Sequence, residues 1–234
     1  TGRSLTLKSD ESIILDASKS ITTAGGDIMF WADADANRSG GIRIGSDVSG
    51  ATTFLTQINS NGGNITLSGG ADPTTGYAHY DATLGAAYST YYFAVGVFGA
   101  TIDARGPGSV HGNILVRGSG GSSFTGKLWT VNIGGQYGSN TKLITKGTGT
   151  ISITGDGSEA PSPSNSWATS IPGIIETEGG QIYLLGKANA SVANARGFSM
   201  SGNIQSTSGQ IIIEDQTTNT SSANYSGPYI NGAK

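Results

Sequence analysis

The stretch DADAN carries a group of side-chain oxygens that could bind a metal ion. Its side chains Asp33, Asp35 and Asn37 alternate along one turn, and carboxylate and amide oxygens are the ligands that calcium prefers. The rest of an EF-hand calcium loop does not follow, because Arg38 stands where that loop needs Gly and Ile44 where it needs a bidentate Glu. In the alternative interpretation this is a polar turn whose Asp and Asn side chains bond to the nearby backbone. We therefore predict no cofactor, with Asp33, Asp35 and Asn37 as a candidate calcium site.

Side chains that could carry out enzymatic catalysis are few. His79 and His111 are isolated, no Ser/His/Asp spacing is visible, and the absence of Cys excludes a thiol nucleophile. A polysaccharide lyase or glycosidase would need carboxylates together with an Arg or Lys on one face. The candidates for that chemistry are Asp81, Asp103, Arg105 and Arg117, and the alternative is ordinary solvated surface charge. We therefore predict that the chain is not an enzyme and assign no catalytic residue.

Aromatic side chains concentrate in one part of the chain and form the candidate binding surface. Aromatic rings supply rigid contact area, so this stretch could hold a glycan or another protomer. The alternative is a loop that packs on the flank of the fold and keeps its tyrosine hydroxyls in water. The candidate residues are Tyr77, Tyr80, Tyr88, Tyr91, Tyr92 and Phe93.

The composition argues against several classes of function. The net charge is −3, only 12% of the residues are charged and no Lys/Arg run occurs, which argues against nucleic-acid binding. No window holds about 18 consecutive apolar residues, so we predict no membrane insertion. The first residue is Thr1 and no signal peptide is visible, so we expect a segment of a longer protein with any export signal outside it.

The elements that must position these residues are repeats of one short phrase. GGNITLSG recurs in altered form as GGDIMFWAD, HGNILVRG, GTISITGDG, GGQIYLLGK and SGQIIIED. A short strand with its own apolar residue precedes each phrase, as Ile58 precedes Ile65, and a third apolar patch comes before that strand. In the fourth and fifth units this spacing selects Ile144 and Ile174, and in the second unit it selects Phe54–Leu55 as the third patch.

Short strands, glycine corners and polar loops of variable length predict an all-β protein. We expect a right-handed parallel β-helix, or β-solenoid, with about three short strands per coil and six to seven coils. A β-sandwich is the alternative, but it does not require the same strand–corner–strand phrase six times. We predict one solenoid segment over residues 1–214, with loop insertions near 70–98 and 155–167, and a polar tail or linker over 215–234.

Several longer phrases resemble the shaft repeats of filamentous-haemagglutinin-like bacterial surface exoproteins. These phrases are SLTLKSDESIIL, ITTAGGDIMFWADADANRSGG, INSNGGNITLSGGADPTTGYA and GTGTISITGDG, and the resemblance covers most of residues 4–214. It implies a β-helix shaft, two-partner secretion, an extracellular location and a role in adhesion or in building a biofilm matrix. The Asn-Pro-rich secretion domain of that family is not recognisable here, and the family supplies no catalytic residues to carry over.

Together these observations predict a non-enzymatic, secreted or cell-surface shaft segment that presents loops for multivalent contact. The expected partners are glycans, a host or abiotic surface, or identical subunits end to end, without nucleic acid and without membrane insertion. Two alternatives stay open. One is a β-helix polysaccharide lyase or glycosidase, which would need a groove of carboxylates across adjacent coils, and the other is a self-assembling matrix filament without a receptor.

Overall fold

The computed structural model describes residues 2–46, 55–85, 91–120, 127–134, 140–159, 167–189, 195–217 and 229–230. These residues form short strands and one helical turn. In chain order the elements are β1 (Leu5–Lys8), β2 (Ile13–Leu15), β3 (Ser20–Thr22), β4 (Ile28–Ala32), β5 (Ile42–Gly45), β6 (Thr56–Asn59), β7 (Ile65–Gly69), β8 (Ala78–His79), α1 (Ala82–Gly85), β9 (Tyr91–Tyr92), β10 (Val95–Phe98), β11 (Ala100–Asp103), β12 (Ile114–Ser119), β13 (Lys127–Ile133), β14 (Lys142–Ile144), β15 (Ile151–Gly157), β16 (Trp167–Ile171), β17 (Ile174–Thr177), β18 (Ile182–Ala188), β19 (Arg196–Met200), β20 (Asn203–Ser206), β21 (Ile211–Asp215) and β22 (Tyr229–Ile230).

The strands assemble into three sheets of parallel strands. Sheet 1 has the order β1-β4-β7-β12-β15-β18-β21, sheet 2 the order β2-β5-β10-β13-β16-β19-β22, and sheet 3 the order β20-β17-β14-β11-β6-β3. β8 pairs with β12 and β9 pairs with β13 beside these paths. Neighbours within a sheet therefore come from successive coils. The prediction of a parallel β-helix with three strands per coil is confirmed, and sheets 1 and 2 each run through seven coils.

Alternation along each strand places one row of side chains inside the coil and the next row outside. The inner row of sheet 1 includes Ile28, Ile65, Ile114, Ile151 and Ile182, which pair in register from strand to strand and are at most 1% exposed. This row joins the inner rows of sheets 2 and 3 in one core cluster. Because a single coil cannot bury its apolar face alone, the stacking of coils is what stabilises each strand.

In β14 and β17 the inward residue is the neighbour of the isoleucine that the spacing selects, although Ile144 is itself only 8% exposed. The fully buried Leu143 and Ile175 pair with each other in the inner row of sheet 3, whereas Ile144 pairs with Glu176 in the outward row. Ile174 likewise pairs with Lys142 rather than with a core residue. Both segments carry two apolar residues in succession, so spacing alone did not decide which one points inward, and a shift of one residue exchanges the two faces of a strand.

The predicted third patch of the second coil is also wrong. Sheet 2 takes Ile42–Gly45 as β5, and Ile42 and Ile44 are fully buried. Leu55 instead lies outside the strands and is 43% exposed, and Phe54 lies outside the described residues. The long polar stretch between β5 and β6 explains the error, because it separates the true strand from the next repeat.

A column of glycines lies at the corner that precedes sheet 1. A Cβ atom on Gly63 would lie 2.3 Å from the carbonyl oxygen of Gly26, and one on Gly112 would lie 1.9 Å from that of Gly63. The same clash would arise at Gly180 and Gly209, at 1.9 and 2.0 Å. Only a residue without Cβ lets the coils stack this closely. The second glycine of the repeated phrase is therefore a packing requirement of the solenoid.

Hydroxyl side chains satisfy the carbonyl groups of this glycine corner. The Oγ1 of Thr145 donates to the carbonyl oxygen of Gly112 at 2.7 Å, and the Oγ1 of Thr177 donates to that of Gly149 at 3.0 Å. Buried backbone groups must be hydrogen-bonded to avoid a large desolvation cost. The Ser or Thr at the end of a sheet 3 strand, or directly after it, is thus a structural residue.

The described strands extend into regions that were predicted as loop and tail. Val95–Phe98 of the predicted insertion is β10 in sheet 2, and Tyr229–Ile230 of the predicted tail pairs with Ser199 and Met200 of β19. Within the described residues, no helix has the length and apolar character needed to cross a membrane.

Candidate functional site

The insertion between β7 and β10, residues 70–94, is attached to the solenoid by strand pairing at both ends. In β8, Ala78 and His79 pair with Gly118 and Ser119 of β12. In β9, Tyr91 and Tyr92 pair with Lys127 and Leu128 of β13. The indole Nε1 of Trp31 also donates to the carbonyl oxygen of Gly70 at 2.6 Å. The insertion therefore lies where sheet 1 turns into sheet 2, and its position is fixed by backbone contacts.

A buried carboxylate–imidazole pair joins the insertion to the DADAN turn. The Nδ1 of His79 lies 2.6 Å from the Oδ2 of Asp33, whose side chain is 0% exposed. The Oδ1 of Asp33 accepts the backbone N–H of Arg38 at 3.0 Å. Burial raises the pKa of Asp33, and the charge of His79 and its hydrogen bond oppose that rise. The pair is a packed anchor for the loop and lies away from solvent.

The three candidate calcium ligands do not converge on one point. The Asp33 carboxylate is turned toward His79, while the Nδ2 of Asn37 donates to the Oδ2 of Asp35 at 2.8 Å. The backbone N–H of Ser39 is in turn bonded to the Oδ1 of Asn37 at 2.8 Å. A search of the described residues finds no group of three or more His, Cys, Asp or Glu side chains that could hold a metal ion. The turn's oxygens thus have protein partners, as in the polar-turn interpretation.

Part of the candidate aromatic surface is packed against the outside of sheet 2. Phe93 is 3% exposed, and its ring meets that of Phe98 edge-to-face with centroids 5.0 Å apart. Leu84 of α1 belongs to the same small apolar cluster. A Cβ atom on Gly96 would lie 2.5 Å from the Phe98 ring, so the aromatic layer sits directly on the sheet. Phe93 thus contributes packing rather than accessible contact area.

Tyr80 and Tyr92 form a second, half-buried cluster. Their rings meet edge-to-face at 5.6 Å and pack against the buried Leu128. Burial, with smaller contributions from Tyr92 and Asp81, raises the pKa of Tyr80 to about 12. Tyr88 lies outside the described residues, and only the backbone of Tyr91 is described.

Tyr77 differs from these residues because it faces the outer surface of sheet 1. The guanidinium of Arg117 lies 4.4 Å from the centroid of its ring, within the range of a cation–π contact. Further along the same sheet, the hydroxyl of Tyr183 lies 3.0 Å from the Oε2 of Glu214. Partial burial and Glu214 raise the pKa of Tyr183.

The four candidate catalytic side chains are not brought together. Asp81 accepts a hydrogen bond from the Oγ of Ser12 beside sheet 2, and Arg117 stacks on Tyr77 over sheet 1. Only Asp103 and Arg105 are neighbours, in an ion pair on sheet 3 with Nη2–Oδ2 and Nε–Oδ1 distances of 2.6 and 2.9 Å.

That ion pair lines a cleft at the corner after sheet 3, which we call the corner cleft. Its volume is about 690 Å³, and Asn61, Asp103, Arg105 and Lys146 lie on its walls. A smaller cavity of about 270 Å³ continues from Arg105 and Lys146 to Glu176 and Glu178. The cleft thus mixes acidic and basic groups from several coils.

A second concave surface, the sheet 1 groove, lies on the outer face of sheet 1. Its volume is about 330 Å³. The outward side chains of Met29, Thr66 and Leu115 form its floor, and they pair in register across β4, β7 and β12. Thr74 of the insertion forms one wall, and Asp27, Asn64 and Asn113 form the rim. The floor is half-buried and largely apolar, whereas the rim is exposed and polar.

The wall of the sheet 1 groove is a folded turn. The Oδ1 of Asp72 accepts both the backbone N–H and the hydroxyl of Thr74, each at 2.8 Å. These hydrogen bonds lower the pKa of Asp72. The hydroxyl of Ser68 in β7 donates to the carbonyl oxygen of Gly76 at 2.8 Å, which holds the turn against the sheet.

The rim of the groove is a ladder of hydrogen-bonded side chains from successive coils. The Oδ1 of Asp27 accepts the backbone N–H of Asn64 at 2.7 Å, and the Oδ1 of Asn64 accepts that of Asn113 at 2.9 Å. The Oδ1 of Asn113 accepts the backbone N–H of Thr150 at 2.8 Å. Sequence reasoning missed this ladder, although its signal is present: an amide, carboxylate or hydroxyl side chain precedes the first Ile of each repeated phrase.

Comparison with known proteins identifies no relative of this chain. A scan against models of protein families and searches of curated proteins and of solved structures found no match to the chain. The functional conclusion therefore depends on the fold and on the surfaces described above.

Proposed function

We propose that this chain is a non-enzymatic segment of a stiff extracellular shaft that serves adhesion or a matrix. One observation carries the proposal: the coils stack in register in all three sheets, and a core, a glycine column and, from Asp27 to Thr150, a side-chain ladder join them. Each of these contacts recurs over several successive coils. Such a structure is built to extend along one axis.

The repeated contacts make a rod mechanically continuous. Every coil is hydrogen-bonded to the next along three sheets, with a spacing of about 4.8 Å per coil. Seven coils thus span about 30 Å. In a solenoid the outward residues are free to vary, because the inner rows and corners carry the stability. The outward faces can therefore present many weak contacts to a surface, which a long shaft converts into avidity.

The location of the protein tests this proposal most directly. Antibodies raised against the chain, applied to intact cells that produce it, should label the outside of the cell or its surrounding matrix. Labelling that appears only after the cells are permeabilised would contradict an extracellular shaft. An antibody against a cytosolic protein of the same cells is the control for leakage.

The corner cleft supports a second candidate function, a glycosidase. Asp103 pairs with Ile144 and Ile144 with Glu176, so the two acidic residues are two coil steps, about 10 Å, apart. Inverting glycosidases separate their carboxyl groups by about 6.5–9.5 Å. The ion pair between Asp103 and Arg105 argues against this function, because both oxygens of the carboxylate are already bonded to the guanidinium group. Release of reducing ends from soluble polysaccharides, abolished in Glu176→Gln, would favour the glycosidase over the shaft.

A further inference from the structure

We propose that the sheet 1 groove binds an uncharged oligosaccharide. The inference rests on the proposed function, because it names the ligand class that an extracellular shaft segment would contact. It assigns the contact to Met29, Thr66 and Leu115 on the floor and to Asn64 and Asn113 on the rim.

The floor has the chemistry that the C–H face of a sugar ring requires. Met29 and Leu115 are half-buried and point outward from β4 and β12, with Thr66 of β7 between them. An apolar surface of this kind gains free energy when a ligand removes it from water. The groove volume of about 330 Å³ lies at the small end of the range for ligand sites.

The rim offers hydrogen-bonding groups that the ladder does not use up. The Nδ2 of Asn64 donates one hydrogen to Asp27 at 3.2 Å, and the Nδ2 of Asn113 donates one to Asn64 at 3.1 Å. An amide nitrogen carries two hydrogens, so each of these exposed residues has a second donor that finds no acceptor in the described part of the chain. The ladder holds both amides in place, which lowers the entropy that binding would cost.

The charge of the groove selects an uncharged ligand. Asp27 is the only charged side chain among the described residues that line it. A polyanion would therefore meet a carboxylate with no cation among these lining residues to compensate it. A polycation would find one carboxylate whose Oδ1 already accepts two hydrogen bonds from Asn64. Hydroxyl groups, which both donate and accept, match an exposed rim of amides and one carboxylate.

The backbone of the groove excludes an extended peptide bound as an added strand. β4, β7 and β12 each have a paired strand on both sides in sheet 1, so no strand edge is available there. A carbohydrate needs no such edge. The floor also continues along the axis, because Leu115 pairs with Ser152 and Ser152 with Tyr183. A longer oligosaccharide that leaves the groove along sheet 1 would therefore meet the Tyr183 side chain.

The test is isothermal titration calorimetry of the whole chain with hexasaccharides of different charge. The uncharged probes are cellohexaose, mannohexaose and N-acetylchitohexaose, the cationic probe is fully deacetylated chitohexaose, and the anionic probe is hexagalacturonate. We expect at least one uncharged probe to bind and the two charged probes to bind about tenfold more weakly or not at all. Binding of a charged probe alone, or of no probe, overturns the proposal.

Two variants locate the site on the groove. Leu115→Asp places a charge on the floor, and Thr66→Arg fills the groove with a long side chain of the kind that Arg117 already carries at an outward position of the same sheet. Each should weaken binding of the uncharged probe by about tenfold or more. Thr101→Asp, at an outward position of β11 in sheet 3, is the matched control and should leave the affinity unchanged. Circular dichroism confirms that each variant is folded, so that Thr66→Arg still decides the matter if Leu115→Asp does not fold.

The result is separable from the proposed function. If intact cells are labelled from outside but no uncharged probe binds, the shaft proposal stands and the glycan site is wrong. If an uncharged probe binds with equal affinity to Leu115→Asp, Thr66→Arg and the unaltered chain, the ligand binds elsewhere and the groove assignment is wrong. Analytical ultracentrifugation tests whether the chain instead dimerises through the same face. A dimer of the unaltered chain that is lost in Leu115→Asp would overturn the proposal.

Discussion

Asn113 donates both its backbone N–H and its Nδ2–H to a single atom, the Oδ1 of Asn64 in the preceding coil, at 2.9 and 3.1 Å. Asn64 makes the same pair of bonds to Asp27, at 2.7 and 3.2 Å. Such a side chain accepts hydrogen bonds from the next coil and donates one to the previous coil, so it holds both neighbouring coils in register with its own. The ladder thus joins the stability of the shaft to the rim of the proposed binding groove.

Asn64→Ala should lower the free energy of unfolding by about 1–2 kcal/mol. The substitution removes one acceptor for two donors of Asn113 and one donor to Asp27. Urea unfolding followed by circular dichroism measures the loss. Asn203→Ala, an exposed position of sheet 3 whose backbone N–H bonds to Gly173, is the control and should change stability by less than about 0.5 kcal/mol. Equal losses in the two variants would show that the ladder contributes nothing specific.

Gly63→Ala should destabilise the solenoid strongly. The added Cβ would lie 2.3 Å from the carbonyl oxygen of Gly26, so two coils must move apart or the corner must rearrange. Overpacking of this kind costs about 1–3 kcal/mol or more. Gly157→Ala is the comparison variant and should lose less stability, because the nearest atoms to its Cβ lie 3.3 Å away and need to move by only a few tenths of an ångström. The melting temperatures of the two variants check the prediction, and an unchanged value for Gly63→Ala would contradict the tight corner.

The parts of the structure that repeat were predictable from the sequence, and the parts that occur once were not. The columns through Ile65 and Ile114 could be found because the same apolar position returns in every coil. Where two apolar residues are adjacent, as Leu143 and Ile144 are, the sequence does not show which of the two side chains points inward. The pairing with the neighbouring strands is needed to decide it. The contact of His79 with Asp33 joins residues 46 positions apart and has no repeated counterpart, so no pattern indicated it.

His79→Phe should destabilise the fold at neutral pH and lose part of that effect in acid. The substitution leaves Asp33 buried without its partner, and breaking a buried pair in this way costs about 3–5 kcal/mol. Burial already raises the pKa of Asp33, and removal of His79 takes away the charge that opposes the rise. A group with a raised folded-state pKa favours folding below its unfolded-state value, and that contribution is lost as the pH rises through the folded-state value.

The difference in unfolding free energy between His79→Phe and the unaltered chain should therefore become smaller as the pH falls toward the ordinary pKa of an aspartate. Urea unfolding at several pH values measures the difference. In an Asp33→Asn background position 33 no longer ionises, so the cost of adding His79→Phe there should lose the part of its pH dependence that comes from Asp33. A pH-independent loss in His79→Phe would show that Asp33 carries no charge in the folded protein.

The Tyr80 hydroxyl should ionise well above the ordinary pKa of a tyrosine. Burial beside Tyr92 and Asp81 raises its pKa to about 12, because the phenolate would lose hydration and meet negative charge. Since the folded-state pKa lies above the unfolded value of about 10, the contribution of Tyr80 to stability is complete below pH 10 and is lost as the pH rises toward 12.

Absorbance titration near 295 nm, compared between the unaltered chain and Tyr80→Phe, measures the ionisation of Tyr80 directly. The difference curve should rise near pH 12. The same titration of both chains unfolded in urea is the control, because there the difference should fall near the ordinary tyrosine value of about 10. A difference curve for Tyr80→Phe centred near pH 10 would mean that the Tyr80 hydroxyl is in contact with water.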